Sequence, residues 1–289
     1  MNRMICLFVA FVCFTQTAEA VVVVSELKPF PSPGEWTVQT TGAGTGAIVS
    51  LVGLGGNLEA NALGSSAVKL TTGSDNADKV EVYLRDNFGL ASDFLSNYTF
   101  EYSYYKEVAG NPSAAPSLKL EILGPNHDNN TNDNFGALIY EPNWNQPLPG
   151  SQPPPTGAWQ NVSINASTGS GDDASGGWWW TGGFGQGSGS GGPPIKSLLE
   201  WKTLFQADAD FATAQLVGVG VGVGTYNQDH IGYFDGVSIT LTPQGPTLNA
   251  VTFPVTYDFE LAAPVPEPAT LVLLGFGAFG LCVRRRRFA

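Results

Sequence analysis

The chain has 289 residues, with 13 Lys and Arg against 25 Asp and Glu, and a formal net charge of −12. That acidity excludes a nucleic-acid partner and an anionic lipid surface, because both repel a negative protein. The 36 Gly, 20 Pro and 11% aromatic residues point to short strands with many turns, away from helical bundles and disorder.

Residues 1–20 carry one early positive charge (Arg3), an apolar stretch over 5–14 and the small-residue step Ala18-Glu19-Ala20. This is the pattern of a secretory signal cut after Ala20, and it implies export by the general secretion machinery. All three cysteines (Cys6, Cys13 and Cys282) lie in the terminal segments. The body, residues 21–262, therefore has no disulfide framework and no thiolate metal site. It keeps eight Lys and Arg against 23 Asp and Glu, a charge near −15. At roughly 240 residues it is the size of one all-β domain.

Alternation predicts the strands. Residues 35–40 and 47–54 are the first two. In 66–72, Val68 and Leu70 share a face. In 79–85, Val80, Val82 and Leu84 point inward while Lys79, Glu81 and Arg85 point to solvent. Residues 89–96 read as one helical turn. In 98–106, Phe100, Tyr102 and Tyr104 share a side, and 117–123 repeats the pattern with Leu118, Leu120 and Ile122. Residues 137–141 and 158–165 add two more strands.

Residues 168–194 are Gly/Ser-rich around Trp178-Trp179-Trp180. Residues 194–208 are the one helix candidate, with Ile195, Leu198, Leu199 and Phe205 on its stripe. VGVGVGVG (217–224) has valines on one face and no side chains on the other. A neighbouring aromatic such as the Trp run, or a bound ligand, must cover the bare face, and the neighbour is the preferred reading. Residues 230–241 and 251–260 are the last strands. Val251, Phe253, Val255, Tyr257 and Phe259 face in, and Pro254 restricts that strand to a sheet edge. Ten or eleven short alternating strands argue for an all-β, antiparallel β-sandwich with one short helix.

The stretch Gly232 to Ile239 (GYFDGVSI), and Trp36 followed by Gly64 to Leu70, resemble jelly-roll domains of the carbohydrate-binding type. In such domains an Asp of the closing strand often helps hold a structural calcium. The resemblance puts Asp235 at that place, although the ordinary reading is a turn carboxylate and no cofactor is otherwise implied.

Motifs for other chemistry are weak. There is no G-x-S-x-G elbow for a hydrolytic nucleophile. His127 and His230 read as solvent contacts, one in a polar loop and one opening a strand. Gly187-x-Gly189-x-x-Gly192 lacks the βαβ setting of a dinucleotide site. The clusters Asp75/Asn76/Asp78 and Asp128/Asn130/Asn132/Asp133 have calcium-type oxygens without EF-hand spacing, and turns use the same residues. Trp144, Trp159 and Trp178 to Trp180 are candidates for stacking on sugar rings.

The chain ends with Pro266-Glu267-Pro268, an uncharged apolar run over 269–283, and Arg284, Arg285, Arg286 and Arg287. The run spans only ~20–23 Å at ~1.5 Å per residue, short of a ~30 Å hydrocarbon core. The arginines nonetheless exclude a buried core helix and set a positive-inside orientation. The segment reads as a short transmembrane helix with the body outside. The order motif, apolar helix, Arg cluster resembles the PEP-CTERM sorting signal of bacterial surface and exopolysaccharide-associated proteins. The resemblance implies that an exosortase recognises the tail and cuts at or near Pro266, Glu267 and Pro268. The expected protein is a non-enzymatic cell-surface or extracellular-matrix protein, transiently anchored in the inner membrane. The alternative is a module that binds the exopolysaccharide.

Overall fold

The computed structural model describes residues 20–126, 133–145, 152–169, 177–189, 192, 194–241 and 254–262. The elements in chain order are β1 (Ala20–Val23), β2 (Lys28–Pro29), β3 (Trp36–Thr41), β4 (Thr45–Ser50), α1 (Gly56–Ala60), β5 (Ser66–Thr71), β6 (Lys79–Leu90), α2 (Ala91–Asn97), β7 (Tyr98–Val108), β8 (Ser117–Leu123), β9 (Phe135–Tyr140), β10 (Trp159–Ile164), β11 (Trp179–Trp180), α3 (Leu198–Phe205), β12 (Gln215–Val223), β13 (Ile231–Leu241) and β14 (Val255–Asp258).

The strands form two seven-stranded sheets. One runs β1-β14-β13-β5-β4, with β7 pairing β13 and β10 pairing β7; the other runs β11-β9-β8-β12-β6-β3-β2. The pairings are antiparallel except β1 with β14 and β2 with β3, which are parallel. The architecture is the all-β sandwich that the alternation implied, with short helices added.

The period-two pattern explains why the sheets face each other. Val68, Leu70, Phe100, Tyr102, Tyr104, Phe234 and Tyr257 come from one sheet. Val80, Val82, Leu84, Leu118, Leu120, Ile122, Val219 and Val221 come from the other. All are buried in one continuous core. At one end the core is extended by an aromatic cluster. Trp180 lies 4.6 Å from Phe205 between ring centroids, and Trp201 stacks on Phe205 at 5.6 Å. Each such ring pair adds ~0.5–1.5 kcal/mol beyond the area it buries.

Several expectations shift. The helix begins at Leu198 rather than Pro194, because Ser197 and Glu200 form a capping box: the Ser197 hydroxyl accepts from the Glu200 amide, and the Glu200 carboxylate accepts from the Ser197 amide. Its buried side is Leu198, Trp201 and Phe205, while Leu199 is exposed. β14 is not an edge strand, since it lies between β13 and β1. Pro254 precedes the strand, and its carbonyl accepts from the Ala20 amide. Val255, Tyr257 and Phe259 face in as expected, while Val251 and Phe253 lie outside the described residues. His230 is fully buried, not a solvent contact, and neither ring nitrogen has a hydrogen bond. Burial, with Lys106 nearby, lowers its pKa to about 3, so it is neutral. The largest departure concerns Glu81, which was expected in solvent and is buried. It leads to the site.

Among the described residues no helix is long and apolar enough to cross a membrane. Residues 1–19 and 263–289 lie outside them, and with them Ala18, the Pro266–Pro268 triplet and the four arginines.

Candidate ligand-binding groove

The outer face of the β11-β9-β8-β12-β6-β3-β2 sheet is not open to solvent. Loops rise around it and enclose a groove of about 910 Å³, lined among others by Glu81, Tyr83, Asn111, Ser117, Lys119, Glu121, Glu141, Trp144, Trp179 and Tyr226. The strands that build it place alternate residues on this face, so the polar half of each pattern becomes the groove floor.

The glycine face of β12 lies at the centre. Gly220 pairs with Tyr83 on one side and Lys119 on the other; Gly222 pairs with Glu81 and Ser117. The bare face is covered by neighbours, as preferred, although not by the Trp run. A Cβ on Gly220 would fall 2.4 Å from Tyr83 Cδ1 and 2.6 Å from the Val82 carbonyl oxygen. One on Gly218 would fall 2.5 Å from Glu121 Oε2. Side chains of β6 and β8 thus lean over β12, and only glycine leaves them room.

The floor charges are paired. Glu81 is held by Lys119 and by Lys79 at 2.8 Å. Burial raises the Glu81 pKa, but Lys119 and then Lys79 outweigh it and bring it down to about 2. Arg85 grips Glu121 with two hydrogen bonds, Nε to Oε2 at 2.7 Å and Nη2 to Oε1 at 2.9 Å. Its guanidinium sits between the rings of Tyr83 and Phe30, at 4.3 and 4.8 Å. Three of the body's eight cations are therefore gathered on this one face, paired with two carboxylates.

Glu141, at the end of β9, differs. Burial pushes its carboxyl up to about 7, against the opposing pull of Lys119 and of the Trp179 and Trp144 side chains. It can change between hydrogen-bond donor and acceptor near neutral pH. The wall beside it is braced by Asn145. Its amide donates to the Glu141 and Gly177 carbonyls, and its oxygen accepts from the Gly177 amide at 2.6 Å.

The WWW run divides by register. Trp178 and Trp180 are buried in the core, and Trp179 points the other way, into the groove. Trp144 joins it. Trp159 lies elsewhere, packed against Tyr105 with its indole donating to the Leu58 carbonyl at 3.0 Å. Of the tryptophans read as candidates for stacking on sugar rings, Trp144 and Trp179 line the groove. The groove is present beside the glycine strand, yet its floor is polar and ion-paired. Sequence reasoning missed Tyr83, Lys119, Glu121, Glu141 and Tyr226, because no local motif marks them.

The remaining predicted site residues are accounted for as follows. Ala20 begins β1, paired with Val255. Asp78 accepts from the Ala43 and Asp75 amides, and Asp75 from the Ala77 amide, so that cluster builds turns. His127, Asp128, Asn130 and Asn132 lie outside the described residues.

Asp235 is buried in β13. Its Oδ1 accepts from the Gly236 and Phe259 amides at 2.7 and 3.1 Å, and Oδ2 has no hydrogen bond. Nearby Glu260 is committed to Ser65 and Ser66. Among the described residues no three His, Cys, Asp or Glu come together as a metal site. Asp235 thus keeps one uncommitted carboxylate oxygen.

The fold and groove define an all-β sandwich with a walled, polar-floored groove on the outer face of one sheet. Residues 264–287 match the PEP-CTERM protein-sorting motif, so the chain carries that signal. No curated protein matches the chain. Solved structures similar to it include carbohydrate-binding β-sandwich modules. One is a family 11 carbohydrate-binding module from Clostridium thermocellum in complex with a β-1,3-1,4-mixed-linked tetrasaccharide, with 9% identity, a TM-score of 0.37, and coverage of 75% of this chain and 95% of that one. Another is TmCBM61 in complex with β-1,4-galactotriose, with 12% identity, a TM-score of 0.31, and coverage of 71% and 88%. A third is an exo-β-agarase, with 13% identity, a TM-score of 0.37, and coverage of 74% of this chain and 24% of the agarase. At these scores the likeness is one of general fold.

Proposed function

We propose that this is an exported, non-enzymatic surface protein whose sandwich binds a polysaccharide chain in the groove and whose tail is processed by an exosortase. In this reading the signal is cut after Ala20, following Ala18. The second cut falls at or near Pro266, Glu267 and Pro268, and Arg284 to Arg287 hold the orientation until then. The protein ends at the cell surface or in the extracellular matrix.

The observation that carries the binding half is the groove's make-up. Indoles and a phenol stand on its rim and wall, over a floor of amides, hydroxyls and paired charges. Aromatic faces pack against the C–H faces of sugar rings, while polar groups between them satisfy hydroxyls; sites of this mixed kind fix orientation through a few placed polar groups. Glu81 and Glu121 are both committed to cations, which supports binding over chemistry that would use those two as an acid–base pair.

The test is affinity for a panel of polysaccharides, including the matrix polysaccharide of the source organism. Trp179→Ala is expected to weaken binding about tenfold or more, a change of ~1.4 kcal/mol or above, with far-UV circular dichroism unchanged. Absence of binding to every glycan by the unaltered protein would end the reading.

A further inference from the structure

The turn after β12 displays Tyr226 at a cost. Tyr226 has φ of +63° and Asp229, in the same turn, has φ of +49°. A non-glycine residue in this left-handed region carries a steric cost that glycine does not incur. The Tyr226 side chain recovers none of that by burial, since it is 69% exposed. Strain and exposure together mean that the fold does not need a tyrosine here.

The turn is nevertheless held firmly. The Tyr226 amide donates to the Asn76 carbonyl at 2.8 Å, and the Asn111 amide donates to the Tyr226 carbonyl at 3.2 Å and to Asn227 Oδ1 at 3.0 Å. The Asp229 amide donates to the Gly73 carbonyl, and the Gly110 amide to the Gln228 carbonyl. Two neighbouring loops thus brace an exposed ring on the groove rim. Local strain kept by over-determined surroundings is a mark of a functional position.

Tyr226 follows the end of β12, and Trp179 lies on β11, three strands across by way of β8 and β9. Three spacings of ~4.8 Å make ~14 Å across the sheet, and because Trp179 is level with Gly220 through Ile139 and Lys119, Tyr226 is also displaced along it. Ser117, Lys119, Glu141 and Asn111 line the same groove. Lys79 and Lys119 in the groove both pair with Glu81, and Arg85 beside it pairs with Glu121. A polyuronate would have to compete with these carboxylates for the cations and would meet a strongly acidic body.

We infer that Tyr226 is a stacking platform closing one end of the groove, so that the site takes an extended, uncharged oligosaccharide chain reaching from Tyr226 to Trp144 and Trp179. This rests on the groove being the glycan site proposed above.

The experiment is calorimetry of the full chain with neutral gluco- and galacto-oligosaccharides from disaccharide to hexasaccharide, and with polygalacturonate. Tyr226→Ala should lower hexasaccharide affinity about tenfold and leave disaccharide affinity within about twofold, because only the longer chain reaches the platform. Tyr226→Phe should retain binding. Tyr226→Gly should show the same loss as alanine together with a raised thermal midpoint, since it relieves the backbone; a purely structural tyrosine would give the opposite sign. If Tyr226→Ala binds the hexasaccharide normally while Trp179→Ala does not, the platform is wrong and the groove reading stands. Binding of polygalacturonate alone would overturn the uncharged class. Failure of every glycan to bind the unaltered protein would remove the groove reading itself.

Discussion

Replacing Lys119 by Met tests whether the groove floor is held by its ion pairs. Lys119 and Lys79 flank Glu81 in a site where burial alone would raise the carboxyl; instead it titrates at about 2. Against an ordinary value near 4.5, that difference corresponds to ~3 kcal/mol at neutral pH, at 1.36 kcal/mol per pKa unit. Lys119 is the larger of the two attractions. Methionine keeps the apolar stem and removes the charge, leaving Lys79 alone on Glu81, so a loss of ~2 kcal/mol is expected at pH 7. For a domain of this size that is ~4–8 °C in the unfolding midpoint. The sign follows from the depressed folded pKa. The contribution is complete above about pH 4.5 and disappears as pH falls toward 2, so the gap between the two proteins must close in acid. Urea unfolding at pH 7, 5 and 3, followed by tryptophan fluorescence, measures it, since Trp178, Trp180 and Trp201 are buried. A gap that stays constant with pH, or no gap at pH 7, would refute the reasoning.

Three further outcomes are expected. Burial pushes the Asp235 carboxyl up to about 7, with Asp258 and Glu260 adding to it against two backbone hydrogen bonds. A raised folded pKa means that stability is fullest below about pH 4 and falls as pH rises through 7. Asp235→Asn keeps the Oδ1 acceptor and removes the charge, so it should stabilise by up to ~4 kcal/mol at pH 8 and by little at pH 4. Millimolar calcium should leave the midpoint of the unaltered protein unchanged, and a calcium-dependent rise at pH 8 would show that more oxygens gather there than the geometry allows. For the tail, Glu267→Ala should leave the protein membrane-held with residues 263–289 attached, by intact mass of the protein recovered from its host; normal processing would refute the sorting role.

Much was legible in the chain alone, and for a definite reason. Burial of every second residue writes itself into sequence, so Val80, Val82 and Leu84, or Phe100, Tyr102 and Tyr104, identify their strands and their inward face without reference to any partner. The sorting tail is equally local: a proline step, an apolar run and a cation block act in that order along the chain, and residues 264–287 match the motif. The glycine face of β12 announced that something lay close against it.

What occupies the outward face was decided only by assembly. Glu81, Lys119 and Arg85 look like ordinary solvent-facing residues in their own strands. They become a largely buried, ion-paired floor because β6, β8 and β12, far apart in the chain, are adjacent in one sheet. Trp179 separates from Trp178 and Trp180 for the same reason, since pairing with β9 sets which ring turns outward. Alternation specifies which side of a strand avoids water. It does not specify which strands will be neighbours, and a groove is made of neighbours.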